Sequence, residues 1–282
     1  MKYAAAALVF VLLAGATARA GDARPIVVEL YTSQGCADCP PADALLGKLA
    51  VRQGLIALSL PINYWDMLGW KDTLASEANT RRQKAYAGAM GRGGVYTPQI
   101  IVDGSRDVVG SRTDAVMEAI TAAAQARDEA LEEAEDFDKS EIALPGALTS
   151  VAAVTHRRTP DGAWSIGVDL KRTPQQLRVA LGRAPESVRR IDAVVWLFRI
   201  RSSAVVRIGA GENAGRTATY RNVVSEIRDL GHWRGAAMSI DVPRPDAGTP
   251  PHDSLAVIVQ QGGYGRVLGA AFLGQATYYA QE

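Results

Sequence analysis

Hydrophobic and polar positions give the two halves of the chain different textures. In the first, Ile26 to Tyr31 is an apolar, β-branched run that predicts a buried strand, and Ala42 to Val51 follows as a helix. Leu55 to Pro61 predicts a second strand, and Tyr96 to Val102 a third that runs into a turn at Asp103-Gly104. Between them Thr73 to Met90 is polar and helix-prone. Arg112 to Glu135 is an Ala- and Glu-rich helical stretch with Val116, Ile120, Ala123 and Ala124 along one side, and it closes in the acidic run Glu132 to Asp138. Strands alternating with helices imply an α/β sheet.

Pro145-Gly146 punctuates the chain, and the segments beyond it are short and β-like. Thr149 to His156, Trp164 to Leu170, Ala193 to Arg201, Ala204 to Ile208, Ala236 to Val242, Leu255 to Gln260 and Arg266 to Phe272 fit an antiparallel sandwich or barrel. The expected organisation is a leader over residues 1–20, an α/β domain over 21–142 and a β-rich, sandwich-like domain over 143–282. Pro243 to Pro251 is expected to be an exposed loop of the last domain.

The leader reading rests on Lys2, an apolar stretch from Ala4 to Leu13 and the small-residue ending Ala18-Arg19-Ala20, the layout of a secretory signal peptide. Cleavage after Ala20 and a periplasmic or secreted location are the expectations. No later segment offers the roughly 20 apolar residues of a spanning helix, so no membrane span is expected after cleavage. Without Lys2 and Arg19 the 31 basic and 30 acidic residues become 29 and 30, a net charge of about −1. That balance leaves no basic excess to attract nucleic acid, and none is expected as a partner.

Composition bears hardest on the cysteines, of which the 282 residues hold two, in Cys36-Ala37-Asp38-Cys39 followed by Pro40-Pro41. A chain of this length buries a core without covalent staples, and so small a loop restrains the unfolded chain little. The pair therefore points to sulfur chemistry. A strand, a short loop carrying C-x-x-C, then a helix is the thioredoxin-type redox arrangement. In it a thiolate attacks a disulfide and a second thiol resolves the mixed disulfide, and the positive end of the helix favours the first thiolate. Cys36 is expected to attack and Cys39 to resolve, with Cys36 the more exposed. Pro40 and Pro41 fit only an opening helical turn, so the helix is expected to start at Cys39 rather than Cys36. Asp38 and Asp43 oppose thiolate formation, which predicts a reducing or weakly oxidising pair.

Thr97-Pro98, at the entry of the third strand, matches the thioredoxin-superfamily position where a cis proline faces the cysteines, and the two residues are expected to shape the substrate groove. Glu29 is a candidate proton relay, or a solvated strand residue. Trp65, Asp66 and Trp70 are candidates for a groove wall, or core. His156, His232 and His252 have no metal-ligand spacing. The Gly211 to Val224 segment presents Arg216 to an anion or shapes a tight connection, and the second reading is favoured. The Arg199 to Arg207 stretch reads as a solvated strand face.

Val28-Glu29-Leu30-Tyr31-Thr32-Ser33-Gln34-Gly35-Cys36-Ala37-Asp38-Cys39-Pro40-Pro41-Ala42-Asp43 resembles the opening of a bacterial secreted family, domain of unknown function 1223, grouped with thioredoxin-like folds. Tyr64-Trp65-Asp66-Met67-Leu68-Gly69-Trp70, Tyr96-Thr97-Pro98-Gln99 and Gly211 to Val224 resemble its later blocks. Pro61-Ile62-Asn63 stands where His-Val-Asp is usual. The resemblance implies a thioredoxin-like domain with a β-rich companion, and no established activity. Read together, the residues favour an exported thiol–disulfide oxidoreductase with no cofactor, acting on a disulfide-containing protein or a small thiol and drawing on an unidentified electron donor. Two alternatives stand beside it: a soft-metal carrier for copper(I) on the same thiolates, with no permanent metal site, and a non-catalytic binding module with a structural disulfide.

Overall fold

The structure, a computed structural model, describes residues 24–132, 157–158, 164–173, 175–186, 188, 190–243 and 251–274. The leader, the strand expected at Thr149 to His156, the boundary near residue 142 and most of the Pro243 to Pro251 loop lie outside the described residues.

The first half supplies β1 (Ile26–Thr32), α1 (Pro40–Leu49), β2 (Leu55–Pro61), α2 (Glu77–Ala89), β3 (Gln99–Val102), β4 (Arg106–Val109) and α3 (Thr113–Glu132). The second supplies β5 (Arg157–Arg158), β6 (Trp164–Ser165), β7 (Val168–Arg172), β8 (Gln176–Leu181), β9 (Ala193–Arg207), β10 (Thr217–Trp233), β11 (Met238–Pro243), β12 (Ser254–Gln261) and β13 (Val267–Leu273). Eight of these strands form one mixed sheet in the order β13-β12-β9-β10-β2-β1-β3-β4. β1 is buried along its whole length because it is paired on both edges, parallel to β2 and antiparallel to β3, and covered on both faces.

On one face α1 and α3 lie over β1, β2 and β3, bringing Leu45, Leu46, Leu49, Val116 and Ile120 against Val28, Leu30, Ala57 and Ile100. Each Leu, Ile or Val among them contributes about 1.5–3 kcal/mol on burial. The opposite face holds Tyr86 of α2 among Val27, Tyr31, Leu58, Leu60, Phe198, Ile200 and Ile258. In the second half a three-stranded sheet, β11-β8-β7, packs on the large one through Leu177, Val179, Leu181, Val195, Leu197 and Val257. The β-rich, layered character expected there is present, but its larger layer is the continuation of the first half's sheet.

The halves meet edge to edge at β10 and β2, which pair in parallel at Val223 and Ser59. Asn222, at φ 49°, leaves the strand line and donates its side-chain amide to the Ala57 carbonyl at 2.9 Å. The sheet then curls until its far ends touch. The Val267 amide donates to the Asp103 carbonyl at 3.2 Å, joining the start of β13 to the β3–β4 turn.

Several elements differ from the sequence reading. β9 is one strand of 15 residues rather than two, and the 17-residue β10, the six-residue β8 and the four-residue β4 are additions. Arg199, read as solvated, is only 5% exposed and pairs with Glu226 at 2.5 Å, because the sheet is covered on both faces there.

Candidate functional site

β1 ends at Thr32, and residues 33–39 carry the chain into α1. The turn is held by the Cys36 amide on the Ser33 carbonyl and the Cys39 amide on the Cys36 carbonyl, each 3.2 Å. Cys39 is the N-cap and Pro40 the first helical residue, as the proline pair required. The Cys39 carbonyl accepts from Ala42 and Asp43 at 2.9 and 3.0 Å. Cys36 and Cys39 are joined as a disulfide with their Cα atoms 5.4 Å apart. Both are buried, at 2% and 0% exposure, and solvent reaches Ala37 and Asp38 between them instead. The expected exposure of Cys36 is thus corrected: segments from both halves of the chain close over the cysteine loop.

The Thr97-Pro98 bond is cis, and Pro98 is buried. Its position relative to the sulfurs follows from a shared neighbour: a Cβ at Gly110 would lie 3.2 Å from Pro98 Cβ, from Ala42 Cβ and from Leu30 Cδ1. Pro98 and Ala42, in the opening turn of α1, therefore both line the space around Gly110. Trp65 bridges the two parts of the site. Its indole donates to Thr97 Oγ1 at 2.9 Å, while its Cβ is 3.5 Å from where a Cβ would stand at Gly35. Asp66 accepts from the Asp72 amide at 3.0 Å, and Asp72 accepts from the Gln34 amide at 2.7 Å, so the segment after β2 straps the cysteine loop. The Trp70 indole adds a bond to Gln34 Oε1 at 2.8 Å.

Glu29 is on the face of β1 turned away from α1. Its carboxylate receives Arg82 Nε at 2.5 Å, Arg82 Nη2 at 3.0 Å and the Tyr86 hydroxyl at 2.6 Å. The structure therefore places the expected relay in an ion pair across the sheet from the helix that carries Cys39. The carboxyl on the sulfur side is Asp43, one turn into α1. Burial pushes it up from the usual carboxylate range to about 8; Thr32 draws it back part of the way and the Asp72 charge raises it. Part of the residue reaches solvent, but Oδ1 is enclosed and, like Thr32 Oγ1 and Ser59 Oγ beneath the same helix, meets no partner in hydrogen-bond geometry. A carboxyl titrating higher folded than unfolded binds its proton more tightly in the folded state. Its stabilising contribution is full below pH 4 and is lost as pH rises towards 8, at most about 1.4 kcal/mol per pH unit. Asp43→Asn should accordingly gain stability over wild type between pH 5 and pH 8 in urea titrations; a gap that does not widen with pH removes the buried-acid assignment.

The Gly211–Asn213 segment also reaches the site. The Asn213 side-chain Nδ2 donates to the Gln34 and Cys36 carbonyls at 3.0 and 2.8 Å, and the Ala37 backbone amide donates to Glu212 Oε2 at 3.1 Å. Neither residue stood out in the sequence beyond its family block, because a hairpin tip 175 residues downstream carries no local mark of its target. Arg216 only helps to close its own turn, its amide donating to the Asn213 carbonyl at 3.2 Å. His232 lies elsewhere, with its Nδ1 2.8 Å from Asp192. Among the described residues no group of three or more His, Cys, Asp or Glu is placed to hold a metal ion, and no described helix is long and apolar enough to cross a membrane.

Fold and site together define a β-rich protein with a C-x-x-C disulfide at a helix N-terminus beside a cis proline. The chain belongs to the family described as protein of unknown function (DUF1223), whose profile matches residues 27–147 and 139–260. A probable thioredoxin of Archaeoglobus fulgidus is 37% identical over 38 residues, 14% of this chain and 42% of that protein, so the match spans less than half of the relative. A crystal structure of an Agrobacterium tumefaciens protein is similar at TM-score 0.68 and 26% identity, covering 91% of this chain and 96% of that one. HBP35 of Porphyromonas gingivalis shares the fold at TM-score 0.51 and 10% identity, covering 89% of this chain and 74% of that one.

Proposed function

We propose that the protein is an exported thiol–disulfide oxidoreductase whose first half is a thioredoxin-like unit. The observation that carries this reading is the Cys36–Cys39 disulfide at the mouth of α1, with Pro98 of the cis Thr97-Pro98 bond sharing Gly110 as a neighbour with Ala42 in that helix's first turn. The short match to a probable thioredoxin adds to it.

In the reduced protein the Cys36 thiolate attacks a partner disulfide, forms a mixed disulfide and releases one partner thiolate. The Cys39 thiol then loses its proton and attacks Cys36, which regenerates the intramolecular disulfide and frees the second partner sulfur. Two electrons pass to the partner, and a donor dithiol restores the pair. Asp43, a carboxyl one helical turn from Cys39 whose burial raises its pKa, is the candidate proton relay in place of Glu29. Met67 and Leu68, 85% and 57% exposed next to Trp65, give an apolar edge suited to a polypeptide substrate.

Cys39→Ser should accumulate a mixed disulfide through Cys36 when the reduced protein meets insulin or a disulfide-bonded client, with the adduct seen on non-reducing gels. Cys36→Ser should not. Burial of both cysteines favours the other reading, a binding module with a structural disulfide, and failure of Cys39→Ser to trap any partner would remove the oxidoreductase reading.

A further inference from the structure

The hairpin tip between β9 and β10 closes on itself. The Gly215 amide donates to the Ile208 carbonyl and the Ile208 amide to the Arg216 carbonyl, both at 2.9 Å. Its hold on the cysteine loop is separate: two bonds from Asn213, one to Glu212, and the seat of Gly209 on Trp70, where a Cβ would lie 2.8 Å from ring carbon Cζ3. None of these holding contacts belongs to a strand pairing. While it stays, it occupies carbonyls and an amide on both sides of Cys36, the sulfur an incoming thiol must reach, and Cys36 is 2% exposed.

We propose that the Glu212–Asn213 tip is a removable cap on the Cys36–Cys39 disulfide, held over the backbone that a partner polypeptide must engage, so that the second half of the chain controls access to the redox site of the first. The proposal rests on the oxidoreductase reading for its purpose but not for its test. Asn213 is the anchor, because its amide is buried and serves two carbonyls at once; Glu212 binds at the exposed rim. Opening exchanges these bonds for bonds to water, and each such bond shifts the closed–open balance by about two- to tenfold.

The test is the rate at which the oxidised protein is reduced by tris(2-carboxyethyl)phosphine. The phosphine attacks one sulfur and breaks the S–S bond, water converts the resulting phosphonium to phosphine oxide, and both sulfurs end as thiols. Glu212→Ala with Asn213→Ala should be reduced at least about tenfold faster than wild type, as the loss of these bonds requires. Near-UV circular dichroism and cooperative melting serve as the check on folding. Asn213→Asp keeps the shape but turns a carboxylate towards two carbonyl oxygens. Its rate relative to wild type should be lower at pH 4, where a protonated acid can still donate one bond, than at pH 7, where the carboxylate faces both carbonyl oxygens without a proton. Equal rates for wild type and the double variant, or an Asn213→Asp ratio flat with pH, would overturn the cap. The oxidoreductase reading falls separately, if Cys39→Ser traps no partner while the double variant is still reduced faster.

Discussion

Replacing Arg82 with Met should destabilise the protein by about 3–5 kcal/mol, the effect of leaving one member of a buried ion pair alone. Arg82 and Glu29 are 2% and 0% exposed. Burial works against the Arg82 cation, but the Glu29 carboxylate and its neighbours outweigh it and hold the group firmly protonated. The guanidinium carbon also lies 4.9–5.7 Å from the ring centres of Phe198, Tyr86, Trp196 and Tyr264, and Nη2 reaches Gln260 Oε1 at 2.9 Å. One side chain of α2 thus ties β1 to strands of the second half. Chemical denaturation at pH 7 measures the loss, and Arg82→Met with Glu29→Gln should recover part of it by removing the stranded charge. A loss below about 1 kcal/mol would mean that the network does not hold the halves together.

Gly104→Ala should be the next most damaging change. Gly104 has φ +71°, where a β-carbon is strained, and that carbon would stand 2.1 Å from the Gly265 carbonyl oxygen and 2.7 Å from Gln260 Nε2. The strain alone is worth about 1–2 kcal/mol. The contact adds to it by forcing apart the β3–β4 and β12–β13 turns, where the curled sheet meets itself. The melting temperature should fall by at least about 4 °C, given roughly 2–4 °C per kcal/mol for a chain of this size. An unchanged melting temperature would mean that the sheet ends are free to part. Residual variant should keep the cysteines joined, since the seam lies by Val27, at the other end of β1 from the cysteine loop.

The first half was legible because its signals are local. Ile26 to Tyr31 is apolar on both faces, as a central strand must be, and the Cys39-Pro40-Pro41 order fixes where α1 begins. The cis bond at Thr97-Pro98 could be placed from its order after C-x-x-C. α2 was legible as a helix but not as a buried one. Asn79, Thr80, Arg82 and Gln83 are at most 2% exposed, yet they are polar, and only partners far along the chain make their burial tolerable. β10 was hidden for another reason: bulges at Val224/Glu226 and Asp229/His232, and Asn222 at φ 49°, break the two-residue alternation that marks a strand. At the site, Cys36, Cys39 and Pro98 announced themselves by motif. Asp43 had been read only as a nearby charge, and Glu212 and Asn213 acquire a role only once β9 and β10 carry their tip back across the molecule.

The junction of β10 with β2 also bears on how such a chain can be divided. Cutting it between the halves would strip β2 of its neighbour and leave an apolar strand with bare amides and carbonyls, an invitation to self-association. The cysteine-bearing half is therefore no portable cassette. The two halves fold as a single object.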